Sequence, residues 1–322
     1  MREIRQSGSE GGGTGTTGPP YPYHRGTVLE GISGSDPRDK PGDGHDVERK
    51  TVPIKLTRDD ATTLRVSAGP AQLHMRISGD GKLLVLLPGL GRAATDLDPL
   101  AALLVAGGYR VAQPDPRGSG GSTGPMEGLT LHDFAADVIA VIEAVGRGPA
   151  TLIGQGFGNR IARMTATDRP DLVHAVVLLG CSGKIQPTPE VAEAIRLAQA
   201  IDTPPDIRAR AVRAAWFAPG HDISVWLDGW SQPVMKAYLA AAAATDTASW
   251  WTAGNAPVLI VQGAEDVSAP PTNGHLLQAE IGARATLVDL PGIGHAVGVE
   301  GPDVVAPVVL RYLAGASLVN AV

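Results

Sequence analysis

Apolar residues along this chain follow two rhythms. Short runs rich in aliphatic residues, Leu83 to Leu87, Thr151 to Ile153, Val173 to Leu179 and Val258 to Val261, read as strands buried on both faces. Tyr109 to Ala112 and Ala285 to Leu290 predict two more. Upstream, Leu64 and Val66, then Leu73, Met75 and Ile77, alternate with other residues, which predicts antiparallel strands. Between the runs lie segments with helical periodicity. Ala94 to Ala106 stops at Gly107-Gly108, and Asp133 to Val145 carries Phe134, Val138, Ile139 and Ile142 on one face. Pro270 to Ile281 and Val304 to Leu313 complete the set. Strands alternating with helices predict a parallel sheet covered by helices on both faces. In such sheets ligand sites lie beyond the carboxyl ends of the strands. Those ends fall at Gly89-Leu90, Asp115 to Arg117, Gly156-Phe157 and Cys181-Ser182.

The rhythm fails in two places. Residues 1–50 are dense in Gly, Pro, Ser, Thr and Asp and nearly free of aliphatic side chains, which predicts a disordered tail. Residues 184–252 carry three helical patterns, Glu190 to Ala200, Ile207 to Phe217 and Val234 to Ala244, punctuated by prolines. They predict a helical cap inserted after the sixth strand, between core segments 51–183 and 253–322. All five tryptophans fall in this insertion. They either hold the cap together or, as Trp216, Trp226 and Trp230 are read here, line an apolar substrate pocket.

Composition narrows the partners. A formal charge of −6 argues against the basic stripe that nucleic acid requires. No apolar run approaches the ~18 residues of a membrane span. Cys181 is the only cysteine, so neither an intramolecular disulfide nor a cysteine metal knuckle is expected. Arg2 and Arg5 are followed by glycine and serine and not by an apolar segment, which predicts no signal peptide and a cytoplasmic protein. Nothing in the sequence implies a metal or an organic cofactor. The expected partner is a small apolar molecule.

The stretch that carries chemistry is Ala150 to Arg163. A buried strand passes through Gly154-Gln155-Gly156-Phe157-Gly158 into a helix, with Ile161 and Met164 on one side and Arg160 and Arg163 expected in solvent. The spacing is that of a nucleophile elbow, G-x-S-x-G, with Gly156 at the nucleophile position.

From about residue 70 to residue 315 the chain resembles the α/β-hydrolase superfamily in its cap-bearing, esterase-like branch. The resemblance rests on LLVLLPGLGR, on Pro114, Asp115, Arg117, Gly118, Gly120 and Ser122 of a P-D-x-R-G-x-G-x-S run, on GQGFG, on VLIVQGAED and on LPGIGHA. It implies an eight-stranded, mostly parallel sheet. It also implies that Asp266 is the acid, with Glu265 as the alternative, that His295 is the base, and that the backbone amides of Leu90 and Phe157 form an oxyanion hole. Gly156 departs from the pattern, since glycine has no atom to attack a carbonyl. Ser182, Cys181, Ser119 and Ser122 are the candidates for a displaced nucleophile. The remaining histidines, among them His74, His132, His174, His221 and His275, carry no motif. Two functions follow: catalysis by the His/Asp dyad without a covalent step, or a silent pseudo-hydrolase that holds a small apolar carboxylate.

Overall fold

Leu83–Leu87 (β3) is buried at every position, and its side chains divide between two cores. Leu83, Val85 and Leu87 pack on one face, while Leu84 and Leu86 pack on the other. Alternation along a strand demands that partition, and it explains why a continuous aliphatic run marks a strand covered on both sides. The computed structural model describes residues 61–146, 148–316 and 318, so the predicted tail, residues 1–50, lies outside the described residues.

Among the described residues β3 belongs to an eight-stranded sheet. The other strands are β1 (Thr62–Ala68), β2 (Ala71–Ser78), β4 (Arg110–Pro114), β5 (Ala150–Gln155), β6 (Val173–Leu179), β7 (Val258–Gly263) and β8 (Ala285–Leu290). Their spatial order is β1-β2-β4-β3-β5-β6-β7-β8. The first two pairings, β1 with β2 and β2 with β4, are antiparallel. All later pairings are parallel.

The helices are α1 (Asp98–Ala106), α2 (Leu131–Val145), α3 (Gly158–Asp168), α4 (Pro189–Gln199), α5 (Pro205–Trp216), α6 (Gln232–Ala244), α7 (Thr247–Trp250), α8 (Thr272–Ile281), α9 (Val297–Glu300) and α10 (Pro302–Leu313). Side chains of α1, α9 and α10 cover one face of the sheet. Those of α2, α3 and α8 cover the other. Local signals set the ends of α2. Thr130 and Asp133 form a capping box, and Gly146 closes the helix in the left-handed region. Four helices, α4 to α7, intervene between β6 and β7. Ala194, Ala198, Val212, Ala215, Trp216 and Trp226 give α4, α5 and the following loop an apolar cluster of their own. Among the described residues no helix is long and apolar enough to cross a membrane.

One expectation is corrected. Arg163 does not reach solvent; it is fully buried. Its Nη2 donates to Asn159 Oδ1 and the Ser182 carbonyl at 2.6 and 2.5 Å, and its Nε donates to the Asn159 carbonyl at 3.1 Å. The rings of Trp250 and Trp251 lie 4.6 and 5.0 Å from the guanidinium carbon. A planar cation can be buried where donors are met and aromatic faces cover it. Burial still pulls its pKa down to about 10. Trp250 and Trp251 therefore pack on α3 and not with the other three tryptophans.

Candidate active site

β5 reaches α3 through a turn that three glycines make possible. A Cβ on Gly154 would stand 2.4 Å from the Asn159 amide nitrogen. One on Gly158 would stand 2.3 Å from the Leu87 carbonyl oxygen and 2.6 Å from that of Pro88. Both contacts exclude a side chain, so helix, strand and the β3 turn can close on each other only with glycine there. This brings the start of α3 against the end of β3 and Pro88. Gly156 lies at φ +53°, where a side chain is strained. A Cβ added there would face His295 Nε2 at 3.0 Å.

His295 follows β8 and is oriented from several sides. Its Nδ1 lies 2.8 Å from Asp266 Oδ2, so Nδ1 donates to the carboxylate and Nε2 is the nitrogen left toward the elbow. Asp266 is 2% exposed, and it accepts from the Ala269 amide at 2.7 Å and from Gln262 Nε2 at 3.1 Å. Glu265, the alternative acid, is exposed. Gly180, at φ +69°, leaves room for the pair, because a Cβ there would stand 3.2 Å from His295 Nδ1 and 3.3 Å from Asp266 Oδ2. The His295 carbonyl accepts from Gln155 Nε2 at 2.7 Å, and the Gln155 side-chain oxygen accepts from the Gly298 amide at 2.9 Å. Burial works against the imidazolium. Asp266, by charge and hydrogen bond, and Glu300, by charge, outweigh it and raise the His295 pKa, with Arg160 opposing them.

The candidate displaced nucleophiles are engaged elsewhere. Ser122 Oγ donates to the Asp115 carbonyl at 2.8 Å, Ser119 Oγ donates to the Pro116 carbonyl at 3.0 Å, and Ser182 Oγ accepts from Arg160 Nε at 3.4 Å. Cys181 is fully buried, and burial pushes its thiol up. Among the described residues no group of three or more His, Cys, Asp or Glu is placed to hold a metal ion.

Trp216, Trp226 and Trp230 pack on one another. Trp216 stacks on Trp230 with centroids 4.8 Å apart and meets Trp226 edge-on at 5.3 Å. The guanidinium of Arg92 lies 4.4 Å from the Trp230 ring and 5.5 Å from that of Trp226. The Trp216 carbonyl accepts from the amides of His295 and Ala296 at 2.8 and 3.1 Å. The tryptophan cluster thus abuts both the turn after β3, through Arg92, and the histidine loop. Sequence reasoning did not single out Gln155, Gln262, Arg92 or Glu300. The two glutamines were visible as polar residues at the ends of buried strands. Arg92 and Glu300 read as ordinary charged residues, because the contacts that bury them, to Asp228, Val225 and Ala218, lie far along the chain, beside local ones to Asp96, Gly294 and Ala296.

The family model described as alpha/beta hydrolase fold matches residues 82–205, and one described as TAP-like protein matches residues 230–320. The chain is 30% identical over 254 residues to the non-heme chloroperoxidase of Streptomyces lividans, covering 73% of this chain and 92% of that protein. It is 31% identical over 124 residues to the 2-(acetamidomethylene)succinate hydrolase of Mesorhizobium japonicum, covering 38% of this chain and 44% of the relative. The crystal structure of BpoC from Mycobacterium tuberculosis superposes with a TM-score of 0.65 at 28% identity, covering 76% of this chain and 96% of that one. The chain belongs to the α/β-hydrolase fold family.

Proposed function

We propose that this protein acts on a small apolar ester-like or carbonyl substrate through His295 and Asp266, with the amides of Leu90 and Phe157 as oxyanion donors and no covalent intermediate. The observation that carries the reading is the 2.8 Å bond from His295 Nδ1 to Asp266, which leaves Nε2 toward Gly156. A pure scaffold needs neither side chain. A water molecule gives its proton to Nε2 while its oxygen attacks the carbonyl carbon. The carbonyl electron pair moves onto oxygen, where the two amides meet it. The oxyanion then re-forms the carbonyl as the bond to the leaving oxygen breaks, the imidazolium gives its proton to that alkoxide, and Asp266 stays ionised throughout. The helices between β6 and β7 serve as the cap over this site.

Without a nucleophile, a hydrolase site keeps ~10³–10⁴-fold catalysis over water. Small activated aryl esters should therefore turn over slowly and without an initial burst. His295→Ala should lower that rate by ~10²-fold or more. An unchanged rate in His295→Ala would remove His295 from the chemistry.

Gly156 itself favours a second reading, in which the site binds a small apolar carboxylate and turns nothing over. A ligand carried through purification and visible by native mass spectrometry, together with an ester rate equal to that of His295→Ala, would select it.

A further inference from the structure

Glu300 is a buried carboxylate that the dyad does not use. Its side chain has no exposed surface. Oε1 accepts from the Ala296 amide at 3.0 Å, and Oε2 accepts from the Gly294 amide at 3.1 Å. The two residues that flank His295 in sequence are thus held by one side chain. Oε2 also accepts from the Ala218 amide at 2.8 Å, which lies just beyond α5 in the helical insertion.

The surrounding contacts place this clasp at a junction. α5 ends with carbonyls that its own helix cannot satisfy. The Ala215 carbonyl accepts from Ser268 Oγ at 2.6 Å, in the loop after Asp266. The Trp216 carbonyl accepts from the His295 and Ala296 amides. The end of α5 is therefore tied to the loops of both the acid and the base, and Glu300 joins the same junction through the Ala218, Gly294 and Ala296 amides.

We propose that Glu300 is the positioning residue for His295: its carboxylate fixes the imidazole's loop against the helical insertion and adds a second negative charge to the surroundings of the ring. The inference rests on reading His295 as the base of the site, but its test does not require turnover. A glutamine cannot copy the clasp, because its amide group would point N–H at one of the three N–H donors. An aspartate keeps the charge but is one methylene short of spanning both loops. The charged groups that face the pair are Asp266 and Arg160 around the imidazole and His221, whose Nε2 lies 4.0 Å from Glu300 Oε2.

The experiment is an NMR titration of the full chain, with the His295 imidazole assigned by comparison with His295→Ala. Glu300→Gln should lower the His295 midpoint, Glu300→Asp should lower it less, and His221→Asn should leave it in place. A purely structural Glu300 would change the melting temperature without moving the midpoint. An unchanged midpoint in folded Glu300→Gln overturns the proposal. Should Glu300→Gln not fold, amide exchange in the unaltered protein decides. The Gly294, Ala296 and Ala218 amides should be protected at neutral pH and lose roughly tenfold or more of that protection together on acidification. Independent loss at three different pH values would sink the clasp.

Discussion

A Cβ built on Gly156 would stand 3.0 Å from Nε2 of His295. That is a tight contact but not a clash with backbone, and the neighbour is the end of a side chain. The elbow therefore keeps a place for a side chain, provided the imidazole gives by a few tenths of an ångström.

Gly156→Ser should accordingly introduce a nucleophile. The added residue must accept φ +53°, at a cost of ~1–3 kcal/mol. Loss of the nucleophile from a complete triad costs ~10⁶ in rate, so even a poorly aligned serine should gain activity on activated esters. A fluorophosphonate probe should label the variant covalently. Neither the parent nor Gly156→Ser/His295→Ala should be labelled. A folded but unlabelled serine variant would show that the site has drifted further than one missing hydroxyl.

pH dependence follows from the raised pKa of His295. A base works in its neutral form, so the ester rate should rise with pH through a midpoint above ~6.5, the ordinary histidine value. Asp266→Asn removes the main stabilising charge. It should lower both that midpoint and the plateau rate, the latter by ~10²-fold or more, since the correct tautomer is lost with it. The stability linkage has the opposite sense to activity. A raised folded-state pKa contributes stability fully below ~6.5, and that contribution disappears as pH rises through the folded midpoint. A midpoint that stays in place in Asp266→Asn would mean that the 2.8 Å bond does not govern the imidazole.

What could be read from the sequence was whatever is local or periodic. The aliphatic runs β3, β5, β6 and β7 announce themselves because both faces of each strand need apolar neighbours. The elbow is legible because close approach leaves only glycine at Gly154 and Gly158. His295 and Asp266 were reached through the α/β-hydrolase resemblance of LPGIGHA and VLIVQGAED, with their order after the elbow in agreement. Contacts between distant segments were not legible. An arginine at a helical position such as Arg163 reads as solvent-facing until two tryptophans, 87 and 88 residues later, cover it. Glu300 looks like a surface glutamate because nothing in the sequence shows that Ala218, 82 residues earlier, joins Gly294 and Ala296 as its donor. The tryptophans illustrate the same limit. Their confinement to the insertion was visible, but their packing on Arg92 was not.

Arg163→Met keeps much of the volume but removes every donor. Relief from burying a charge opposes the loss. The carbonyls of Asn159 and Ser182 and the Asn159 amide oxygen would all lose a partner, at ~1–3 kcal/mol each when buried. The acceptors should win, with a net loss of ~2–4 kcal/mol in urea unfolding. A loss under ~1 kcal/mol would mean that desolvation of the guanidinium had nearly cancelled its hydrogen bonds.

Arg92 should couple the tryptophan cluster to the turn after β3. It lies two residues beyond Leu90 and is 3% exposed. Nε and Nη2 donate to the Asp96 carboxylate at 2.7 and 3.2 Å, Nη1 donates to the Asp228 carbonyl at 2.6 Å, and Nη2 donates to the Val225 carbonyl at 2.7 Å. Asp96 is itself deeply placed, and burial raises its pKa despite Arg92. One fork therefore holds the turn after β3, the helical turn Ala94–Leu97 that leads into α1, and the loop that carries Trp226 and Trp230. The Ser231 amide, donating to the Gly91 carbonyl at 2.9 Å, is the parallel tie. Arg92→Lys retains the charge but not the planar fork, so it cannot reach all these acceptors or lie flat on Trp230. The expected result is a loss of ~2–3 kcal/mol in stability, within the range for stranded buried acceptors. Tryptophan emission should shift to the red as Trp226 and Trp230 lose their cover. Emission changing while stability holds would place Arg92 in the cluster alone. Stability falling with emission unchanged would place it in the turn alone. Coupling requires both to move, and the ester rate to fall with them.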